Sequence, residues 1–167
     1  VYSPLIGNDS QFLYLNLGVA FQTSGSANEY PTNKVNPTSS VVTVNGAGSS
    51  NNINISGEDT IMYCFADIAG VQKVGSYTGS GSSGKSVTTG FRPRFLMIKG
   101  INFGNGYWFI LDNQRTSGTN GKLALWANEA LAESSTYDVR FDATGFTLLN
   151  TDTHLNQNYD YLYLAIA

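Results

Sequence analysis

Apolar and polar residues alternate with a period of two along most of this chain, and no stretch of useful length repeats at helical spacing. Residues 11–21, QFLYLNLGVAF, put Leu13, Leu15, Leu17, Val19 and Phe21 on one face and predict a long half-buried strand. Residues 1–10 form an extended lead-in, and residues 22–40, polar with Pro31 and Pro37, form an exposed arm. Residues 41–44 make a short strand ending at the tight-turn pair Asn45-Gly46, and Ile53 and Ile55 mark another. Residues 60–67, TIMYCFAD, are apolar on both faces and predict a central core strand with Cys64 as a buried small hydrophobe.

The second half repeats the pattern. Residues 71–78 lead into a Gly/Ser loop at 79–86, and Pro93 bars a helix after it. Residues 94–101 and 107–112 form a hairpin through Phe103-Gly104-Asn105-Gly106. Asn120-Gly121 is a second turn signal, followed by a strand over 122–127. Residues 128–135 are the one place where a helical turn fits. Tyr137, Val139 and Phe141 point inward and Asp138 and Arg140 outward; a turn at 142–145 leads to a strand over 146–149. Residues 159–167, YDYLYLAIA, close the chain as a core strand or as an edge that pairs with a neighbouring chain. About ten short strands at 8–12-residue spacing, with little or no helix, predict an all-β fold: an antiparallel, jelly-roll-like β-sandwich. The 167 residues suit a single domain.

Composition sharpens this picture. Charged residues are only 13% of the chain, against 41% apolar, so Ser, Thr, Asn and Gly supply the polar surface, as in many extracellular and viral β proteins. A net charge of −3 with no basic patch argues against nucleic-acid binding. No apolar run is long enough to span a membrane as a helix. A single cysteine excludes an intrachain disulfide and a cysteine-based zinc cluster.

The strongest chemical motif is Gly79-Ser80-Gly81-Ser82-Ser83-Gly84-Lys85-Ser86, which matches the phosphate-binding pattern G-x-x-x-x-G-K-[ST], and Trp108 to Asp112 imitates the apolar strand that ends in a magnesium-binding Asp. A nucleotide hydrolase is therefore a remote alternative. The pattern works only when a helix follows it and aims its N-terminus at the phosphates. Here Val87-Thr88-Thr89-Gly90-Phe91-Arg92-Pro93 follows, so the expectation is a mobile turn between two strands with Lys85 solvated. His154 lies in a polar loop without a nucleophile elbow, and the Asp138/Asp142 and Asp152/Asp160 pairs sit beside turns where Asp is common for local reasons. Trp108 and Trp126 alternate within strands, which favours a packed role for both; the binding reading stacks them on sugar rings, with Asp112 and Asn113 as hydrogen-bonding neighbours, as a carbohydrate-binding module for host-surface glycans. No cofactor, metal or catalytic residue is predicted.

YTGSGSSGKSVTTGFRPRFLMIKG, YWFILDNQR, VRFDATGFTLLN and YDYLYLAIA, with the preceding TIMYCFADIAGVQKVGSYTG, together resemble a repeated module of tailed-phage virion proteins, found in tail fibres and other structural proteins, especially of marine phages such as cyanophages. The resemblance covers about residues 58–167; residues 1–57 carry no recognised pattern and are expected to add strands and loops packed on the module. It implies a non-enzymatic virion component, either a tail-fibre or receptor-binding domain or a capsid-decorating one. Such a component acts through self-assembly, with a homotrimer as first guess, and through contacts with other virion proteins.

Overall fold

A computed structural model describes residues 1–6, 11–23, 35–38, 40–44, 57–104, 106–115 and 120–167. The chain divides into two compact units, Val1–Leu13 with Phe21–Phe65 and Tyr14–Ala20 with Ala66–Ala167.

The first unit holds two antiparallel ribbons, β1 (Gln11–Phe12) with β2 (Gln22–Thr23), and β3 (Val35–Pro37) with β4 (Val42–Val44). Thr38 closes the second ribbon: its N–H donates to the Val41 carbonyl at 2.7 Å, and its hydroxyl accepts the Val41 N–H at 2.9 Å. The expected turn at Asn45-Gly46, the strand at 53–55 and most of the 22–40 arm lie outside the described residues.

The second unit is an antiparallel sandwich. Its elements are β5 (Gln72–Thr78), β6 (Lys85–Thr88), β7 (Phe95–Gly100), β8 (Trp108–Asp112), β9 (Asn120–Gly121), β10 (Leu125–Trp126), β11 (Val139–Asp142), β12 (Gly145–Leu148), a single helical turn α1 (Thr153–Asn156) and β13 (Asp160–Ile166). One sheet runs β10-β8-β7-β13-β5 and the other β6-β12-β11-β9. The chain passes repeatedly from one sheet to the other and stays within a sheet only at the β7–β8 and β11–β12 hairpins.

Side-chain alternation builds the core between the sheets. Leu96 and Ile98 on β7 and Phe109 and Leu111 on β8 face Val139, Phe141, Phe146 and Leu148 from the opposite sheet, all at most 1% exposed. Phe146 meets Tyr77 and Tyr163 edge-on at 5.9 and 5.5 Å between centroids, and Phe109 meets Tyr137 at 4.7 Å. The C-terminal segment is an interior strand of the larger sheet, with β5 on one side and β7 on the other. Tyr137, Val139 and Phe141 are buried and Arg140 is exposed, as the alternation requires.

Four expectations fail. The strand over 11–21 stops at Phe12, and Leu15, Leu17 and Val19 are exposed: the alternation is there, but among the described residues no strand lies beside it to make a ladder. Residues 60–67 are not a core strand. They form no strand, and Ile61, Met62, Tyr63 and Phe65 are 80%, 46%, 81% and 56% exposed, with Cys64 exposed among them. Asn120-Gly121 is not a turn but the strand β9, paired with Val139 and Arg140. Residues 128–135 form no helix; the one helical turn is at Thr153–Asn156, where the Asp152 carboxylate accepts the His154 N–H at 2.7 Å as an N-cap.

Candidate functional site

The Gly/Ser loop joins β5 to β6, and Lys85 opens β6 as a strand residue. No helix follows, so no bundle of N–H groups converges above it in the manner of a phosphate cradle. The loop is anchored rather than loose. Asn156, fully buried, donates its amide to the Ser82 and Asn150 carbonyls at 2.8 and 2.7 Å and accepts the Ser80 N–H at 3.0 Å. The Gly81 N–H donates to the Asn156 carbonyl at 2.6 Å, and the Ser83 hydroxyl to the Leu149 carbonyl at 2.6 Å. Gly79 presses against the Gln157 carbonyl, leaving no room for a Cβ. Asn156 therefore shapes this loop, and local sequence offers no signal for it because the two lie far apart in the chain.

The candidate carboxylates are each committed to neighbours. Asp138 accepts from Asn120 at 2.9 Å and lies 3.5 Å from Lys122. Asp142 pairs with Arg140 and accepts the Thr147 hydroxyl at 2.6 Å. Asp160 accepts from the Thr78 hydroxyl at 2.7 Å and from the Asn102 amide at 3.0 Å. Asp152 caps α1 and bonds the His154 ring at 3.2 Å. That ring stacks on Tyr107 at 5.5 Å and abuts Phe109 and Tyr137. Among the described residues no group of three His, Cys, Asp or Glu side chains is placed to hold a metal ion.

The proposed glycan quartet does not form one open face. Trp108 is 4% exposed, and its indole N–H donates to the Tyr14 carbonyl at 2.7 Å. Asp112 accepts the Gln114 and Arg115 N–H groups at 2.9 Å each and binds the Arg115 guanidinium. Burial alone would raise its carboxyl, but those hydrogen bonds outweigh it and hold the group below its ordinary value. The neighbouring Asn113 accepts from the Gln114 side chain at 2.6 Å. Trp126 pairs with Phe109 across β10 and β8 and meets Tyr137 edge-on at 6.1 Å; only part of its ring is exposed, and its buried indole nitrogen has no protein partner.

One residue the motif search did not single out is Lys99. It interrupts the apolar run FLMIKGI on a strand buried on both faces, a signal visible in the sequence. Its side chain is fully buried, its ammonium donates to the Val19 carbonyl at 2.8 Å and to the Gly106 carbonyl, and burial lowers its pKa to about 8. With Trp108 it fastens residues 14–20 by backbone carbonyls.

The class defined by these observations is an antiparallel β-sandwich whose buried polar side chains tie down its own loops. The chain belongs to the family described as Domain of unknown function (DUF7483), whose model matches residues 1–167. No curated protein and no solved structure matches it.

Proposed function

We propose that this protein is a non-enzymatic structural component of a phage virion, a tail-fibre or receptor-binding domain or a capsid-decorating one, that works by self-assembly and by contacts with neighbouring virion proteins. The sequence resemblance over residues 58–167 motivates the reading. The observation that carries it is the apolar segment 60–68, whose Ile61, Tyr63, Phe65 and Ile68 are more than half exposed. A run of large exposed apolar groups marks a surface made for another protein. The low charge and the polar surface of Ser, Thr and Asn suit a particle protein exposed to the medium.

The test is location. Antibodies raised against the chain should label purified particles at one structure, tail or capsid, and mass spectrometry of those particles should recover its peptides in stoichiometric amount; particles free of it refute the reading. Host-glycan recognition is the second reading, supported by the partial exposure of Trp126 and its unpartnered indole nitrogen. A glycan array with the wild type and Trp126→Ala separates the two.

A further inference from the structure

Residues 59–66, DTIMYCFA, align without a gap on residues 160–167, DYLYLAIA. Both begin with Asp and end with Ala. Ile61, Met62, Tyr63 and Phe65 fall on Leu162, Tyr163, Leu164 and Ile166, and the small Cys64 falls on the small Ala165. The later segment is β13 with its terminal alanine, hydrogen-bonded on both sides as an interior strand next to the edge of the five-stranded sheet. The earlier one is likewise apolar from its third residue on, but among the described residues no strand lies beside it, and its large apolar groups face solvent. A chain apolar on both faces is covered when it joins a sheet, where a strand beside it also takes up its backbone groups.

The fold also carries an edge of the matching kind. β5 is the outermost strand of that sheet and already pairs with β13 on its inner side. On its outer side, the Gln72 N–H goes to the Ile68 carbonyl at 2.9 Å and the Val74 N–H to the Asp67 carboxylate at 2.8 Å. By the same alternation the N–H groups of Ser76 and Thr78 point out of the open edge, beside side chains that are themselves exposed. Within the chain the hairpin opens at the Ile68–Gln72 bridge, and side chains take the groups of its next rung: Gln72 Nε2 holds the Ala66 carbonyl at 2.7 Å, and the Asp67 carboxylate takes the Val74 N–H and pairs with Lys73.

We propose that residues 59–66 of one copy add as a strand to the outer edge of β5, over residues 75–78, of a second copy. Donor and acceptor lie on the same chain, and the donor resembles the strand that β5 already accepts on its other side, so the occupant of the edge is another molecule of this protein. The contact is head-to-tail: each copy gives one strand and receives one, so copies close into a ring, of which a trimer is one size, or extend as a filament. The inference specifies the self-assembly in the reading above and rests on that part of it.

The experiment uses two kinds of variant in the full chain. Ile61→Asp with Tyr63→Asp spoils the donor at exposed positions. Ser76→Pro spoils the acceptor by removing an outward N–H, which an edge strand tolerates, and Ser76→Lys with Thr78→Lys does so by charge, as a check on Ser76→Pro. Circular dichroism and thermal melting establish that each variant is folded. In sedimentation velocity over a wide concentration range, the wild type associates, each variant alone is monomeric, and a mixture of donor-dead and acceptor-dead chains forms one-to-one heterodimers and nothing larger. If the wild type associates and the variants associate equally well, or if the mixture stays monomeric, strand addition is overturned while self-assembly stands. A wild type monomeric throughout overturns strand addition and self-assembly together; particle labelling then decides separately whether the protein belongs to a virion.

Discussion

Lys99 and Trp108 face each other across the β7–β8 ladder, and each reaches out of the sheet to a backbone carbonyl of the same segment, Lys99 to Val19 and Trp108 to Tyr14. Two neighbouring side chains thus do for residues 14–20 what a strand ladder does elsewhere. This also explains why the alternating apolar residues 13–21 do not form the strand their pattern suggests.

Lys99→Met keeps the apolar stem and deletes the donors. The Val19 and Gly106 carbonyls lose their partner, and a buried polar group left unpaired costs about 1–3 kcal/mol. Relief of a buried charge offsets part of this, so a net loss of about 1–2 kcal/mol is expected. Hydrogen exchange should quicken in residues 14–20 and leave β11 and β12 unchanged. Trp108→Phe, which loses one hydrogen bond and keeps most of the packing, should cost about 1 kcal/mol. Equal exchange rates in wild type and Lys99→Met would show that the clamp does not hold the segment.

The same lysine sets a pH dependence. Burial lowers its pKa in the folded protein from an ordinary 10.5 to about 8. Between those values the unfolded chain binds more protons than the folded one, so stability rises as pH climbs through that window. The tyrosines act in the opposite sense. Burial raises Tyr77, Tyr161 and Tyr163 above the ordinary 10.0, so above that pH the unfolded chain releases protons that the folded chain retains, and stability falls. The melting temperature should therefore rise from pH 8 to about 10 and then drop. In Lys99→Met the rise vanishes and the drop remains. A wild-type curve flat between pH 8 and 10 would contradict the burial of the ammonium.

The Gly/Ser loop gives a contrast between a motif residue and an anchoring one. Lys85→Ala should change stability by less than ~0.5 kcal/mol, since it alters a partly exposed side chain that makes no ion pair among the described residues. Asn156→Ala strips three hydrogen bonds from a fully buried position and should cost about 2–3 kcal/mol. Gly79→Ala should be similarly harmful, because its methyl meets the Gln157 carbonyl. Chemical denaturation of the three variants checks the order. A nucleotide-binding loop would instead show ATP binding that disappears in Lys85→Ala.

Where the fold was legible, the information was local. The β7–β8 hairpin, the inward set Tyr137, Val139 and Phe141, the C-terminal core strand and the strand that leaves the Gly/Ser loop all follow from period-two alternation and turn residues. What could not be read concerns partners. Residues 11–21 and 60–67 have the alternation or the apolar run of strands, but a pattern reports what a side chain prefers to touch and not whether a neighbouring strand exists. Trp108 is packed, as its alternation within a strand favours, but nothing in its vicinity in the sequence announces Tyr14, and Asn156 reads as loop polarity because its bonds to Ser80 and Ser82 cross most of the second unit. Lys99 was readable in principle as a charge inside an apolar strand.

The contrast between Phe146 and Phe65 tests the fold apart from assembly. Phe146 is fully buried between the two sheets, and Phe146→Ala removes a ring from the core and should cost about 3–5 kcal/mol. Phe65 is 56% exposed, and Phe65→Ser, measured in dilute monomeric protein, should fall within ~0.5 kcal/mol of wild type. Cys64, exposed next to it, gives an independent readout: a thiol reagent should modify it in the native protein at the rate seen after denaturation. Slow modification together with a large cost for Phe65→Ser would mean that residues 60–67 are packed inside each molecule. Fast modification at low concentration that slows as concentration rises is the result expected if a second molecule covers them.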